Sequence, residues 1–287
     1  MTSPLDAEKL LAYQIPTTRD DYDPRDVILY ALGVGAGLSA EIDETSFLFE
    51  RDLQVLPTMA LVLGTPGFWP MDPKSGLDWL NILHGEQRLK LLQPLDAFGA
   101  LIGEARVTNI ADKGPGKSAL ISVCKDIKTP GGTLVAETSE IWVVRGAGGF
   151  GGSPDLNETP LPATPERDPD YEVTLPTSVA QAATYRLSGD RNPLHIDRAT
   201  ARKAGLDRPI LHGLSTKGVV ARALIHACCG GAAHRLRDIA VRFSAPVLPG
   251  DTIRTYIWQD DASVRFCADA VERGVRVIDN GVATIQR

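Results

Sequence analysis

Apolar residues recur along this chain at two different spacings. Leu214, Val219, Val220, Ala223 and Leu224 follow helical spacing, and the Gly230-Gly231 pair after them supplies a stop. Downstream, IAVRFSAPVLPGDTIRTYIWQ, ASVRFCADAVERG and VRVIDNGVATIQR alternate or run apolar with turn residues between them, the pattern of antiparallel strands. In the first half QRLKLLQPLDAFGALIGEARVTNI, SALISVCKDIKT and TLVAETSEIWVVR do the same. Between these strand-rich halves, residues 146–170 (GAGGFGGSPDLNETPLPATPERDPD) are crowded with glycine and proline and nearly devoid of large apolar side chains. They are predicted to be a linker between a unit at 1–145 and a unit at 171–287.

Inside the linker, Gly146, Gly148 and Gly151 satisfy G-x-G-x-x-G after the predicted strand IWVVR. That fingerprint needs a helix immediately afterwards to hold a pyrophosphate, and Pro154 with the polar run beyond it denies one. A dinucleotide site is the alternative to a plain linker.

The halves repeat one another. Tyr30-Ala-Leu lies on Tyr185-Arg-Leu at a shift of 155, and Pro94-Leu-Asp96 lies on Pro249-Gly-Asp251 at the same shift. ILHG at 82–85 recurs at 210–213 with a shift of only 128, which implies 27 extra residues in the second half. Those residues carry the helical pattern, so each half is expected to be a short helical start and a curled antiparallel sheet, with a buried central helix only in the second. The class is α+β, with the two sheets side by side and a groove where the first helix is missing.

At 287 residues the chain can bury a sizeable core without disulfides or metal. Cys124, Cys228, Cys229 and Cys267 form no C-x-x-C pair and no zinc spacing, which points to reduced thiols in a cytoplasmic compartment. With 30 basic against 36 acidic residues and no Lys/Arg run, nucleic acid is not an expected partner. The N-terminal MTSPLDAEKLLAYQIP lacks the apolar run of a signal peptide, no segment reaches the roughly 18 apolar residues of a membrane span, and the C-terminal IQR is no recognised address.

The chemistry concentrates in SGDRNPLHID. At the 155 shift Asp190 falls on Gly35, Asn192 on Gly37 and His195 on Ala40, so the polar cluster exists in one copy and is replaced by small residues in the other. Singly, each is an ordinary turn or cap former. Together, an Asp and a His five residues apart across a tight turn can converge on one water and move its protons, which suits adding water to a polarised double bond. Ser188 has no evident base arrangement and the cysteines are far away in sequence, so a nucleophilic mechanism is not expected. Gly213 opens the predicted helix, and its backbone N–H would be unpaired in the first turn, available to an oxyanion; a glycine needed only for close packing is the equal alternative.

The run from Tyr185 through Asp190, Asn192 and His195 to Ala204 resembles the MaoC-like (R)-specific enoyl-CoA hydratases, the hydratase-2 family. ILHG at 82 and 210, ADKGPG at 111–116 and VRFSAPVLPGDT at 241–252 extend the likeness over nearly the whole chain. The resemblance implies a double hot-dog fold whose first unit has largely given up its central helix to admit a long acyl chain. It implies Asp190 and His195 as the catalytic pair, Asn192 as a supporting residue and Gly213 as the donor to the thioester oxygen. It also implies His84, Gly85, Lys113 and Phe243 as acyl-CoA contacts. Unaided, Lys113 would be a solvated hairpin charge, Phe243 a core aromatic and His84 a strand-edge histidine. The implied reaction is reversible hydration of trans-2-enoyl-CoA to the (3R)-3-hydroxyacyl-CoA, with coenzyme A present only in the substrate and no metal or other cofactor. Dehydration of a carrier-bound (3R)-hydroxyacyl group, action on a CoA-linked sterol side chain, thioester hydrolysis and silent acyl-CoA binding are the alternatives. Spare sheet edges suggest a homodimer.

Overall fold

Strands form where the alternation is strongest, and helices where proline, an acidic cap or helical spacing starts them. The computed structural model describes residues 5–286. The first four residues of the N-terminal stretch and Arg287, on which the targeting expectations partly rest, lie outside them. The first half contributes α1 (Ala7–Leu11), β1 (Thr18–Tyr22), α2 (Pro24–Gly33), β2 (Ile82–Leu91), β3 (Gly99–Asp112), β4 (Ala119–Lys128) and β5 (Leu134–Val144). The second contributes β6 (Tyr171–Pro176), α3 (Gln181–Tyr185), α4 (Arg198–Lys203), α5 (Gly213–Cys229), β7 (Leu236–Phe243), β8 (Thr252–Asp260), β9 (Ser263–Ala270) and β10 (Val275–Ile285).

All these strands join one antiparallel sheet in the order β1-β3-β4-β5-β2-β7-β10-β9-β8-β6. The order is symmetric about the β2/β7 seam, where Glu86 pairs with Arg242 and Lys90 with Asp238. Each half is thus the same five-stranded unit, and the two extend each other's sheets edge to edge. Tyr30 and Tyr185, matched by the repeat, are both fully buried and lie with ring centroids 6.0 Å apart. Pro24 starts α2 behind Asp23, which forms a reciprocal capping box with Asp26.

The second unit wraps α5, whose residues from Ser215 to Ile225 are buried among apolar side chains of both halves. The first unit has no α-helix at residues 34–81 among the described residues, only short 3-10 turns. The inferred 27-residue deletion, however, is not there. The two ILHG segments are not equivalent: one begins β2, the other leads into α5. The 155 shift carries across this region, placing β2 on β7 and setting Thr58, in the buried 3-10 turn Pro57–Leu61, opposite Gly213, and shortens to about 144 only at β4 and β9. The helix is therefore converted rather than deleted. Its first turn survives, and Gly64, Pro66, Gly67, Pro70 and Pro73 prevent it from propagating.

The buried Lys125 caps this broken end, donating to the carbonyls of Leu61 (3.0 Å) and Leu63 (2.7 Å) and to Thr65 Oγ1 (2.7 Å). These are the groups that an interrupted helix leaves without partners. Trp69, Trp142 and Tyr13 stack beside it in a satellite core.

Residues 146–170 hold no helix or strand. The G-x-G-x-x-G segment binds a carboxylate, not a pyrophosphate: the amides of Gly149 (2.7 Å) and Gly151 (2.6 Å) donate to Asp112, joined by Gly114 (2.8 Å). Gly149 and Gly151 reach it with positive φ of 103° and 87°, a conformation that side chains oppose. These amides, Gly149 foremost, hold the Asp112 carboxyl down at about 2.

Candidate active site

Turn chemistry and site chemistry coincide at Asp190. From α3 the chain passes through the 3-10 turn Arg186–Ser188 and Gly189, then turns so that Asp190 Oδ1 accepts from the Asn192 amide (3.2 Å). Asn192, buried, accepts in turn from the Leu194 amide (3.0 Å) and caps the 3-10 turn Pro193–His195. These residues do make the turn, as their types dictate. They also bring the remaining groups of Asp190 and His195 to one face.

Two backbone carbonyls set the histidine tautomers. His195 Nδ1 lies 3.0 Å from the Ile210 carbonyl, and His212 Nε2 lies 3.2 Å from the Asp190 carbonyl. A carbonyl only accepts, so His195 carries its proton on Nδ1 and leaves the Nε2 lone pair free to act as a base. His212, buried at the N-cap of α5, stacks on His195 with ring centroids 3.7 Å apart. Asp190, His195 and His212 present polar side-chain atoms within 4.8 Å of one another. Burial lowers the His195 pKa against the opposing charge of Asp190 and the Ile210 hydrogen bond. Burial and the neighbouring His195 push His212 further down.

Asp190 and His195 open onto a cavity of about 340 Å³, with His212 stacked behind His195. Asp190, Asn192, His195, Gly213, His84 and Phe243 line it. Gly213 opens α5, so its amide has no intrahelical acceptor. A Cβ there would stand 3.2 Å from the Phe243 ring, so the close-packing account of this glycine holds alongside its exposure to the cavity. The far wall is the first unit, with Leu61, Val62, Phe68, Trp69 and Trp142 along the converted helix and β5. Phe68 meets Trp79 edge-on at 6.2 Å, and Thr65 to Pro70 form part of the cavity wall.

Gly85 and Lys113 are not among the lining residues. Gly85 sits at a bulge between β2 and β5, where a Cβ would come within 3.0 Å of the Ile141 carbonyl. Lys113 donates to the Pro154 carbonyl and lies 3.5 Å from Asp155, tying the β3–β4 hairpin to the linker.

Three other groups at or beside the site lie outside the polar turn. His212 is the histidine of the second ILHG, next to Gly213. Glu140 shares the inward face of β5 with Thr138 and Trp142, so its spacing places a carboxyl in the core pattern. Lys125 carries the same signal, lying between Val123 and Ile127 on the inward face of β4, but its partners are backbone carbonyls supplied by the tertiary fold.

Asp190 and His195 lie beside an open helix-start amide at the mouth of a largely apolar cavity between two fused units of a double hot-dog fold, an arrangement suited to an acyl-thioester hydro-lyase. The family models agree: residues 160–281 match the MaoC like domain and residues 21–146 the MFE-2 hydratase 2 N-terminal domain. The chain is 43% identical to the Mycobacterium tuberculosis 3-hydroxyacyl-thioester dehydratase Y over 84% of its length and 83% of the relative's. It is 34% identical to the probable enoyl-CoA hydratase 2 of Dictyostelium discoideum, covering 98% of this chain and 97% of that one. The solved MaoC-like dehydratase of Phytophthora capsici superposes with a TM-score of 0.84 at 35% identity, over 99% of each chain. The chain belongs to the MaoC-like hydratase 2 family.

Proposed function

We propose that this protein catalyses reversible hydration of trans-2-enoyl-CoA to the (3R)-3-hydroxyacyl-CoA in fatty-acid metabolism. The observation that carries the reading is the Ile210 carbonyl on His195 Nδ1, which leaves a neutral Nε2 base beside Asp190 at the cavity. The two side chains hold one water, which adds at C3 while a proton returns to C2. The thioester oxygen gains negative charge and rests on the Gly213 amide, aided by the start of α5. The thioester already polarises the alkene, so the proposed reaction uses no metal or redox cofactor, and it should survive exhaustive chelation.

Asn192 keeps the turn in register, and His84 and Phe243 flank the acyl-CoA. Gly85 and Lys113 complete the proposed CoA contacts. The tuberculosis relative's name favours the reverse direction, dehydration of a 3-hydroxyacyl thioester, at the same atoms. The reading includes a homodimer in the cytoplasm, supported by the free edges of β1 and β6 and by four cysteines without disulfides. No described helix is long and apolar enough to cross a membrane.

With crotonyl-CoA, the enoyl absorbance should fall without release of free thiol; thiol release would replace the hydratase with a thioesterase. Asp190→Asn and His195→Gln should each fold and lose roughly 10²-fold or more in activity. Near-wild-type rates in either variant would remove that residue from the mechanism.

A further inference from the structure

Glu140 is a carboxyl group on the first-unit wall of the cavity, where Val123, Trp142, Leu61 and Trp69 provide apolar surface suited to an acyl chain. The cations near it are committed elsewhere. Lys125 spends its donors on Leu61, Leu63 and Thr65, and Lys217 donates to the carbonyls of Gln87 (3.1 Å) and Ile239 (3.0 Å). His84 Nε2 stands 3.4 Å from Glu140 Oε2, and the Trp142 indole also interacts with the carboxyl. His84 Nε2 makes no hydrogen bond, and a carboxylate has about four acceptor sites, so the Glu140 carboxyl keeps capacity unused. Burial raises the Glu140 pKa to about 7 and lowers that of His84 to about 4, so the contact is not a strong ion pair.

An unsubstituted acyl chain along this wall would press methylenes against Glu140 and strip its water, offering no hydrogen bond in return. We propose that Glu140, backed by His84, is a specificity-determining residue that accepts a hydrogen bond from a hydroxyl carried on the acyl chain beyond the reacting double bond. The favoured substrate is then a hydroxylated enoyl thioester rather than a plain aliphatic one. This inference rests on the hydratase reading above.

Matched pairs of trans-2-enoyl-CoA esters, unsubstituted and ω-hydroxylated, at six, eight and ten carbons would be compared by kcat/KM. Wild type should favour the hydroxylated member at one length or more by about tenfold, mostly through KM. Glu140→Leu should abolish or reverse that preference, and Glu140→Gln, which keeps an acceptor oxygen, should retain much of it. Preference for the unsubstituted ester at every length in wild type, or an equal preference in folded Glu140→Leu, overturns the proposal. If Glu140→Leu does not fold, calorimetric binding of saturated ω-hydroxyacyl-CoA to wild type decides: binding no tighter than the unsubstituted ester is equally fatal. That calorimetry also separates the two ideas, because absence of hydration with every ester refutes the hydratase reading while leaving hydroxyl recognition measurable.

Discussion

At the scale of single residues, the chemistry depends on which nitrogen of each histidine carries a proton. His195 must be neutral to take a proton from water, and burial moves its pKa below the ordinary histidine value. The acid limb of kcat/KM should therefore lie below about pH 6.5, the unperturbed histidine value. Activity should fall as pH drops through the lowered value, because protonation removes the Nε2 lone pair. A pH–rate profile of wild type checks this, and an acid limb above pH 7 would contradict it. Asp190, Asn192 and His195 were legible in sequence because their polarity is one-sided between the repeats. Glu140 and His212 depend on partners outside that local pattern, the facing cavity wall for Glu140 and the His195 ring and Asp190 carbonyl for His212.

Among the elements, the converted helix of the first unit and the intact α5 of the second differ most. Beside the degenerate turn, Arg222 of α5 donates to both carboxylate oxygens of Glu44, at 2.6 Å each, and to the Val34 carbonyl at 2.8 Å. Both residues of the pair are buried. Removing one partner strands the other charge, so Arg222→Met should cost about 3–5 kcal/mol of stability. Glu44→Leu added to it should recover most of that loss, because two apolar groups no longer leave a buried charge. Urea unfolding of the single and double variants measures the cycle; a double variant weaker than the single would show that the pair does more than neutralise itself. The missing first-unit helix follows in sequence from the offset of the two ILHG segments, whereas in the structure prolines and glycines at 64–73 interrupt it. The repeated ILHG tempts an alignment that strand register rejects.

Across the whole molecule, the start of the linker is held by Asp112 through the amides of Gly149 and Gly151, with the hairpin amide of Gly114 on the same carboxylate. Asp112→Ala should loosen this first stretch, and hydrogen exchange at Gly149 and Gly151 should quicken by about tenfold or more. The carboxyl is held down to about 2, so its contribution to stability is present above the unfolded aspartate value of about 4. That contribution is lost as pH falls from there through about 2. Exchange as slow as wild type in the variant would remove the carboxylate from the linker's support.

The sequence by itself determined the repeat, the strand-rich units, the glycine- and proline-rich connector and the polar turn, because these are local patterns of spacing and residue type. Tertiary structure alone decided the β2/β7 seam, the conversion of the first helix into turns, and the carboxylate grip of the linker. It also decided the placement of His84, Glu140, His212 and Lys125. Each of these depends on partners far apart in the chain, and the hydrogen bonds and burial that define their chemistry exist only after the two units close around α5.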